Sequence, residues 1–168
     1  EDAELTGVTV TSSSKAWNTA GLKAGFLITQ SDEMRKRLSG MPEAMNWRAS
    51  LLGAYSIVAA YSEATGWLDE TVEKIQSRLA LLRLEVASKL PRAKMFEMES
   101  TYLAWIDLSD YGIDKVQSEI LAKGKVALVP GEDHSPSGDY SRFVRFNFAT
   151  SETRLREAVT RMAKVLEG

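Results

Sequence analysis

Residues 12–23 read Ser-Ser-Ser-Lys-Ala-Trp-Asn-Thr-Ala-Gly-Leu-Lys, a polar segment between two apolar runs. Residues 8–11 form a β-branched run that is typical of a buried strand, and residues 24–29 predict a second strand. Because two strands are not stable alone, we interpret the pair as part of a larger sheet. Lys15 thus lies just after a strand, at the end of a run of three serines, with a second cation, Lys23, in the same loop.

The surroundings of Lys15 have two interpretations. Two ammonium groups and a hydroxyl could hold an anionic ligand, and a partly desolvated lysine beside a second cation is the kind that bonds covalently to carbonyl compounds. The alternative is a solvated lysine in a polar turn between two strands. Residues 12–15 also match the S-x-x-K pattern of penicillin-recognising serine enzymes, but the S-D-N and K-T-G elements of those enzymes are absent.

Helices are predicted after the second strand. Ser31 is a candidate N-cap for a short helix that ends at Gly40, and residues 42–64 predict a further helix, ended by Gly66. Residues 51–61 are apolar nearly all round, which is typical of a helix that is buried in a large core or in a subunit interface.

The second half of the chain predicts helices that alternate with three strands, an α+β or α/β arrangement. The predicted helices cover residues 67–90, 113–122 and 151–166, and the predicted strands cover residues 103–108, 126–129 and 142–149. The last helix has an apolar stripe at the helical period, formed by Leu155, Val159, Met162 and Leu166.

Arg145 is a second candidate binding residue. Alternation along residues 142–149 separates a face that carries Arg145 and Asn147 from an apolar face, which we expect to contact the core. The apolar face consists of Val144, Phe146 and Phe148. An arginine fork beside an amide is a good receptor for a carboxylate. The alternative is an arginine on a solvated strand face, paired with a helix carboxylate.

Composition excludes several classes of protein. The 168 residues are 44% hydrophobic and 26% charged with a net charge of -2, which excludes disorder and gives no overall field for nucleic acid or an anionic membrane. There is no cysteine and no P-loop, dinucleotide-binding or zincin motif, and the single histidine, His134, has no clustered partner, so no metal site is predicted. No apolar run approaches the roughly 18 residues of a membrane span, and together with the acidic start this predicts a cytoplasmic protein.

Three tryptophans are interpreted as core residues: Trp47, Trp67 and Trp105.

Four segments resemble, in the same order, those of fold-type I pyridoxal-phosphate enzymes, and most of all the cystathionine β-lyase (C–S lyase) branch of the class I/II aminotransferases. They are the lysine segment at residues 12–23, the helical residues 59–69, and the strands at residues 100–107 and 143–149. The resemblance covers essentially the whole chain. It implies an α/β fold, the C-terminal portion of the PLP-dependent transferase fold, with residues 1–74 completing the large PLP-binding domain and residues 75–168 forming the small C-terminal domain. It also implies a much longer chain, so we interpret this sequence as a C-terminal fragment that is inactive on its own.

The resemblance assigns roles to individual residues. Lys15 would bind pyridoxal 5'-phosphate (PLP) covalently and later move the substrate Cα proton, and Ser12 and Lys23 would contact the cofactor phosphate. Many related aminotransferases have arginine at the position of Lys23, and lysine is a point charge rather than a bidentate fork. Arg145 would bind the α-carboxylate of the amino-acid substrate.

The resemblance favours a C–S lyase of the cystathionine β-lyase type, which eliminates a thiol from an amino acid and yields pyruvate and ammonia. A class I/II aminotransferase, which transfers the amino group to a 2-oxo acid, stays open because both reactions use Lys15 and Arg145. A non-catalytic interaction domain is a third alternative, with the apolar residues 51–61 as its partner surface. The family also implies a homodimer that acts on a small amino-acid substrate, and neither nucleic acid nor a membrane is expected as a partner.

Overall fold

The computed structural model describes residues 6–168. The chain forms two compact units, which divide between Thr71 and Val72, inside a long helix. The first unit contains a two-stranded ribbon and helices, and the second contains a four-stranded sheet packed with helices. This is the mixed α/β arrangement that the sequence predicts.

Both strands predicted at the start of the chain are present. β1 (Thr9–Thr11) and β2 (Phe26–Ile28) pair antiparallel, with Val10 opposite Leu27. Within the described part of the chain this ribbon pairs with no other strand, and Val10 is 76% exposed. That the pair belongs to a larger sheet stays a prediction.

The first helix, α1 (Asp32–Ser39), begins and ends where the sequence predicts. The Ser31 hydroxyl accepts a hydrogen bond from the Met34 N–H at 3.3 Å, and the Gly40 N–H donates to carbonyls of the last turn. Such an N-cap satisfies one of the donors that a helix leaves unpaired in its first turn.

The helix predicted over residues 42–64 is shorter in the structure. A 3-10 turn occupies Glu43–Arg48, and α2 covers Leu51–Glu63. Ser50 separates the two because its backbone is extended and its hydroxyl caps α2, accepting from the Gly53 N–H at 3.3 Å.

The break after α2 is at Ala64, and the prediction that Gly66 ends the helix is wrong. Ala64 leaves the helical conformation (φ -112°, ψ 23°), and α3 (Thr65–Lys89) follows directly, with Gly66 in its first turn. The Ala64 carbonyl accepts hydrogen bonds from the Leu68 N–H at 3.3 Å and from the Trp17 indole N–H at 2.9 Å. The tryptophan contact is distant in sequence, so a local pattern does not contain it.

Most large apolar side chains of α2 are left exposed by the described residues. Gly53 and Ala60 are its buried positions. The large apolar side chains are exposed, namely Leu51, Leu52, Tyr55, Val58 and Tyr61. The pattern predicts burial in a large core or a subunit interface, and residues 6–168 do not supply that cover.

The second unit is built on an antiparallel sheet of order β3-β4-β6-β5. Its strands, from β3 to β6, are Lys94–Met95, Leu103–Asp107, Val129–Pro130 and Phe143–Asn147. Three of them correspond to predicted strands, although β5 covers only the end of residues 126–129. The two-residue β3 is too short to produce an alternating pattern, so the sequence does not reveal it.

Helices pack against one face of this sheet. They are α3, α4 (Val116–Glu119) with its π-helical continuation (Ile120–Gly124), and α5 (Glu152–Leu166). The stripe predicted on α5 is confirmed, because all four residues are buried: Leu155, Val159, Met162 and Leu166. The predicted apolar face of β6 is also confirmed as the core face, formed by Val144, Phe146 and the following Phe148. Across residues 6–168, every helix is too short or too polar to span a bilayer.

Candidate functional site

Lys15 lies in the loop between β1 and β2, and this loop is held by its own hydrogen bonds. The Trp17 N–H donates to the Ser13 carbonyl at 2.9 Å, and the Thr19 N–H donates to the Ser14 carbonyl at 3.1 Å. The buried Ser13 hydroxyl also lies 2.9 Å from the Thr19 hydroxyl. These contacts fix the turn around Lys15, whose side chain is exposed.

Hydroxyl and ammonium groups share this loop. Ser12 Oγ lies 2.6 Å from Ser14 Oγ, and the Ser14 N–H donates to Ser12 Oγ at 3.3 Å. In the described part of the chain, no carboxylate forms an ion pair with Lys15 or Lys23. The loop therefore offers hydroxyls and two cations that no described acid neutralises.

Lys23 is positioned by the close approach of α2. It follows a 3-10 turn (Ala20–Leu22) and adopts the left-handed conformation, with φ 54°. A Cβ on Gly53 would lie 2.5 Å from the Leu22 carbonyl oxygen and 2.6 Å from the Ala24 Cβ, so glycine is what lets α2 approach this turn. The sequence gives no sign of this role, because the contact joins segments that are distant along the chain.

The indole of Trp17 joins the Lys15 loop to the end of α2. Its Nε1 donates to the Ala64 carbonyl at 2.9 Å. Its ring centroid is 4.7 Å from that of Tyr61, and the Tyr61 ring is 5.8 Å from that of Phe26 on β2. The sequence leaves open whether Trp17 contacts the core or a ligand, and in the structure it packs on α2.

Arg145 lies on the face of β6 that points away from the core. Its Cα pairs with that of Trp105 on β4 and with that of Val129 on β5, which places it at the centre of the sheet. Its Nε is buried without a hydrogen-bond partner, and within the described chain no carboxylate forms an ion pair with it. The neighbouring Asn147 uses its side-chain oxygen to accept from the Ala149 N–H at 3.0 Å. Because buried donors without partners are rare, this Nε is a reason to expect a ligand oxygen here.

An aromatic cluster occupies the same face of the sheet. The indole of Trp105 stacks on Phe143 at 5.8 Å, and the rings of Tyr140 and His134 meet it edge-on, each at 5.7 Å. The prediction that Trp105 is a core residue is wrong, because the alternate residues of β4 take the core face. Strand alternation in residues 103–108 is the signal that could have shown this.

Two other predictions of core tryptophans are also wrong. Trp47, in the 3-10 turn, is 76% exposed and Trp67, in the first turn of α3, is 49% exposed. His134 contacts the Trp105 ring, and among residues 6–168 no three His, Cys, Asp or Glu side chains come together as metal ligands.

The fold defines the class of protein. A crystal structure of a protein assigned as a PLP-dependent β-cystathionase, from Corynebacterium diphtheriae, matches 96% of this chain and 42% of its own, with a TM-score of 0.89 and 34% identity. The fold is therefore a portion of the PLP-dependent transferase fold, as the resemblance predicts.

The family follows from the sequence as a whole. Residues 1–162 match the family model of aminotransferase class I and II, and the chain belongs to this family. A cystathionine β-lyase from Corynebacterium glutamicum is 33% identical over 99% of the chain, and the cystathionine β-lyase PatB of Bacillus subtilis (strain 168) is 32% identical over 95%. The chain spans 44% and 41% of the lengths of these two relatives. The resemblance seen in the sequence is confirmed.

Proposed function

We propose that this chain is the C-terminal part of a PLP-dependent C–S lyase of the cystathionine β-lyase type. The identities to two cystathionine β-lyases support the proposal. The observation that carries it is the Lys15 loop, in which an exposed amine stands in a fixed turn, beside hydroxyls and a second cation, with no acidic partner in the described chain.

The residues of this loop fit PLP. A primary amine such as that of Lys15 bonds covalently to an aldehyde, and groups such as the Ser12 hydroxyl and the Lys23 ammonium bind a phosphate dianion. When bound, PLP supplies the electron sink that stabilises negative charge at the substrate Cα. Because Lys23 is a point charge and not a bidentate fork, we expect it to hold the phosphate less firmly than an arginine would.

Arg145 and Lys15 have separate roles in the proposed reaction. The Arg145 guanidinium binds and orients the α-carboxylate of the amino-acid substrate, and its buried Nε is an available donor for that carboxylate. Lys15 Nζ accepts the proton from Cα as a general base. In a β-elimination the thiolate then leaves Cβ, and hydrolysis of the remainder gives pyruvate and ammonia.

A class I/II aminotransferase is the second candidate, and the match to the family of class I and II aminotransferases supports it. In that reaction Lys15 would both remove and return a proton, and the amino group would pass to a 2-oxo acid. The two candidates are separated by supplying cystathionine to the full-length protein without any 2-oxo acid. Pyruvate formed under these conditions indicates the lyase, whereas amino transfer that requires a 2-oxo acid indicates the aminotransferase.

We also propose how the chain is organised in the full protein. Residues 1–74 would complete a large domain and residues 75–168 would form a small one, and the division of the chain between Thr71 and Val72 supports this. The exposed apolar side chains of α2 support a homodimer, although they suit the non-catalytic alternative, a surface for another partner, equally well. The cysteine-free composition favours the cytoplasm.

Covalent attachment at Lys15 is the first test of the proposal. We expect the full-length protein, treated with PLP and then with borohydride, to gain a single phosphopyridoxyl group on Lys15, read by intact mass and peptide mapping. Lys15→Ala should abolish this adduct, whereas Lys36→Ala, which changes another exposed lysine, should retain it. A wild-type protein without the adduct, or an adduct that survives in Lys15→Ala, would show that the proposed function is wrong.

A further inference from the structure

Trp17 connects the Lys15 turn to a helix junction. Its indole N–H donates to the carbonyl of Ala64, at the break between α2 and α3, with a length of 2.9 Å. Its backbone N–H closes the turn around Lys15 by donating to Ser13, also at 2.9 Å. The same residue therefore belongs to the turn and is anchored outside it.

Aromatic packing holds this indole in place. The rings of Trp17 and Tyr61 are 4.7 Å apart and tilted by 54°, and the Tyr61 ring meets Phe26 edge-on at 5.8 Å. An indole N–H is a donor only, so it needs an acceptor when it is half-buried. Without the indole N–H of Trp17, the Ala64 carbonyl would keep only the longer hydrogen bond from the Leu68 N–H, at 3.3 Å.

We propose that Trp17 is a positioning residue for Lys15. In the described chain the Lys15 side chain makes no hydrogen bond or ion pair, so the backbone of its turn decides where Nζ lies. The Ser13–Thr19 contact fixes that turn from inside, and the Trp17 indole fixes it from outside. The inference rests on the proposed function, in which Lys15 Nζ must come within hydrogen-bond reach of the Cα proton.

The test uses Trp17→Phe, which keeps a ring against Tyr61 but removes the indole N–H. In the full-length protein we expect hydrogen–deuterium exchange of residues 13–19 to become about fivefold faster, the factor that one neutral hydrogen bond contributes. With PLP bound, we expect kcat for β-elimination to fall about fivefold while KM stays the same. Trp67→Phe, which changes an exposed tryptophan of α3, is the matched control and should alter neither quantity.

Three results would overturn the positioning role. The first is a Trp17→Phe protein whose exchange rate and kcat match those of the control. The second is faster exchange that extends to α5, which would indicate general destabilisation. The third is faster exchange of residues 13–19 with an unchanged kcat. A wild-type protein that forms no Lys15 adduct would overturn the proposed function instead. The exchange experiment needs no turnover, so it would still decide whether the indole anchors the turn.

Discussion

The guanidinium of Arg145 is partly desolvated in the described chain. Its Nε is buried and has no hydrogen-bond partner in the described chain, and its backbone is fixed at the centre of the sheet between Trp105 and Val129. An unpaired buried donor costs about 1–3 kcal/mol. A carboxylate oxygen that reaches Nε would remove this cost, so the arrangement favours binding of an anion over an empty site.

Arg145→Lys tests this role, because lysine keeps the charge but lacks the planar fork. We expect KM for cystathionine in the full-length enzyme to rise about 10- to 100-fold, since hydrogen bonds to charged groups contribute about 1.5–3 kcal/mol. Steady-state kinetics measure the change, with Arg154→Lys, at an exposed position of α5, as the control. An unchanged KM in Arg145→Lys would argue against contact with the substrate.

The two principal candidate residues could be found from the sequence, whereas their supports could not. Lys15 lies three serines after a β-branched run, and Arg145 stands opposite an apolar face, so both patterns are local. Gly53 and Trp17 act through contacts with segments far along the chain. No periodicity or capping rule reports such contacts, because they depend on how the helices and the loop pack.

At the scale of elements, two helical glycines have opposite surroundings. Gly53→Ala places a methyl group 2.5 Å from the Leu22 carbonyl oxygen, so α2 must shift, and we expect the free energy of unfolding to fall by about 1–3 kcal/mol. Gly66→Ala places a methyl group in open space in the first turn of α3, and we expect a gain of up to about 1 kcal/mol. Urea denaturation of the full-length protein measures both. Equal effects of the two substitutions would show that α2 does not approach the Lys23 turn closely.

Two of the helix starts that a serine side chain caps agree with the sequence, whereas α2, which Ser50 caps, begins nine residues after the predicted start at residue 42. Ser31 caps α1, and Ser151 caps α5 by accepting from the Arg154 N–H at 3.3 Å, so both helices start where a local pattern places them. The sequence predicts the end of α2 to within one residue but attributes it to Gly66, and it does not reveal the indole N–H that donates to the Ala64 carbonyl from another segment. Nor does it reveal β3, whose two residues exist as a strand only through pairing with β4.

For the molecule as a whole, a buried carboxylate contributes to the pH dependence of unfolding. Glu85 of α3 forms ion pairs with Lys89 at 2.7 Å and with Arg156 of α5. The hydrogen-bonding Lys89 ammonium lowers the pKa of Glu85, against the opposing effect of burial, and Arg156 lowers it further. Since the unfolded chain then binds this proton more readily than the folded one, Glu85 stabilises the fold above its unfolded pKa. That stabilisation is lost as the pH falls through the lower, folded pKa.

Glu85→Gln should therefore flatten the acid side of the stability profile. We expect the wild-type free energy of unfolding to decrease below about pH 4.3, the ordinary pKa of glutamate, more steeply than that of the variant. Denaturation at a series of pH values measures the slopes, and Glu73→Gln, at an exposed position of α3, should keep the wild-type slope. If Glu85→Gln keeps it as well, Glu85 is not the group responsible.

The β1–β2 ribbon has two outer edges that pair with no strand among the described residues. Its backbone donors and acceptors on those edges stand beside exposed Val10, Leu27 and Ile28. Such a ribbon is a template for further strands, because a strand that pairs with its edge both gains hydrogen bonds and covers apolar surface. In a longer polypeptide the same chain can supply that strand. Produced as a separate piece, the ribbon would recruit strands from neighbouring molecules and seed aggregates.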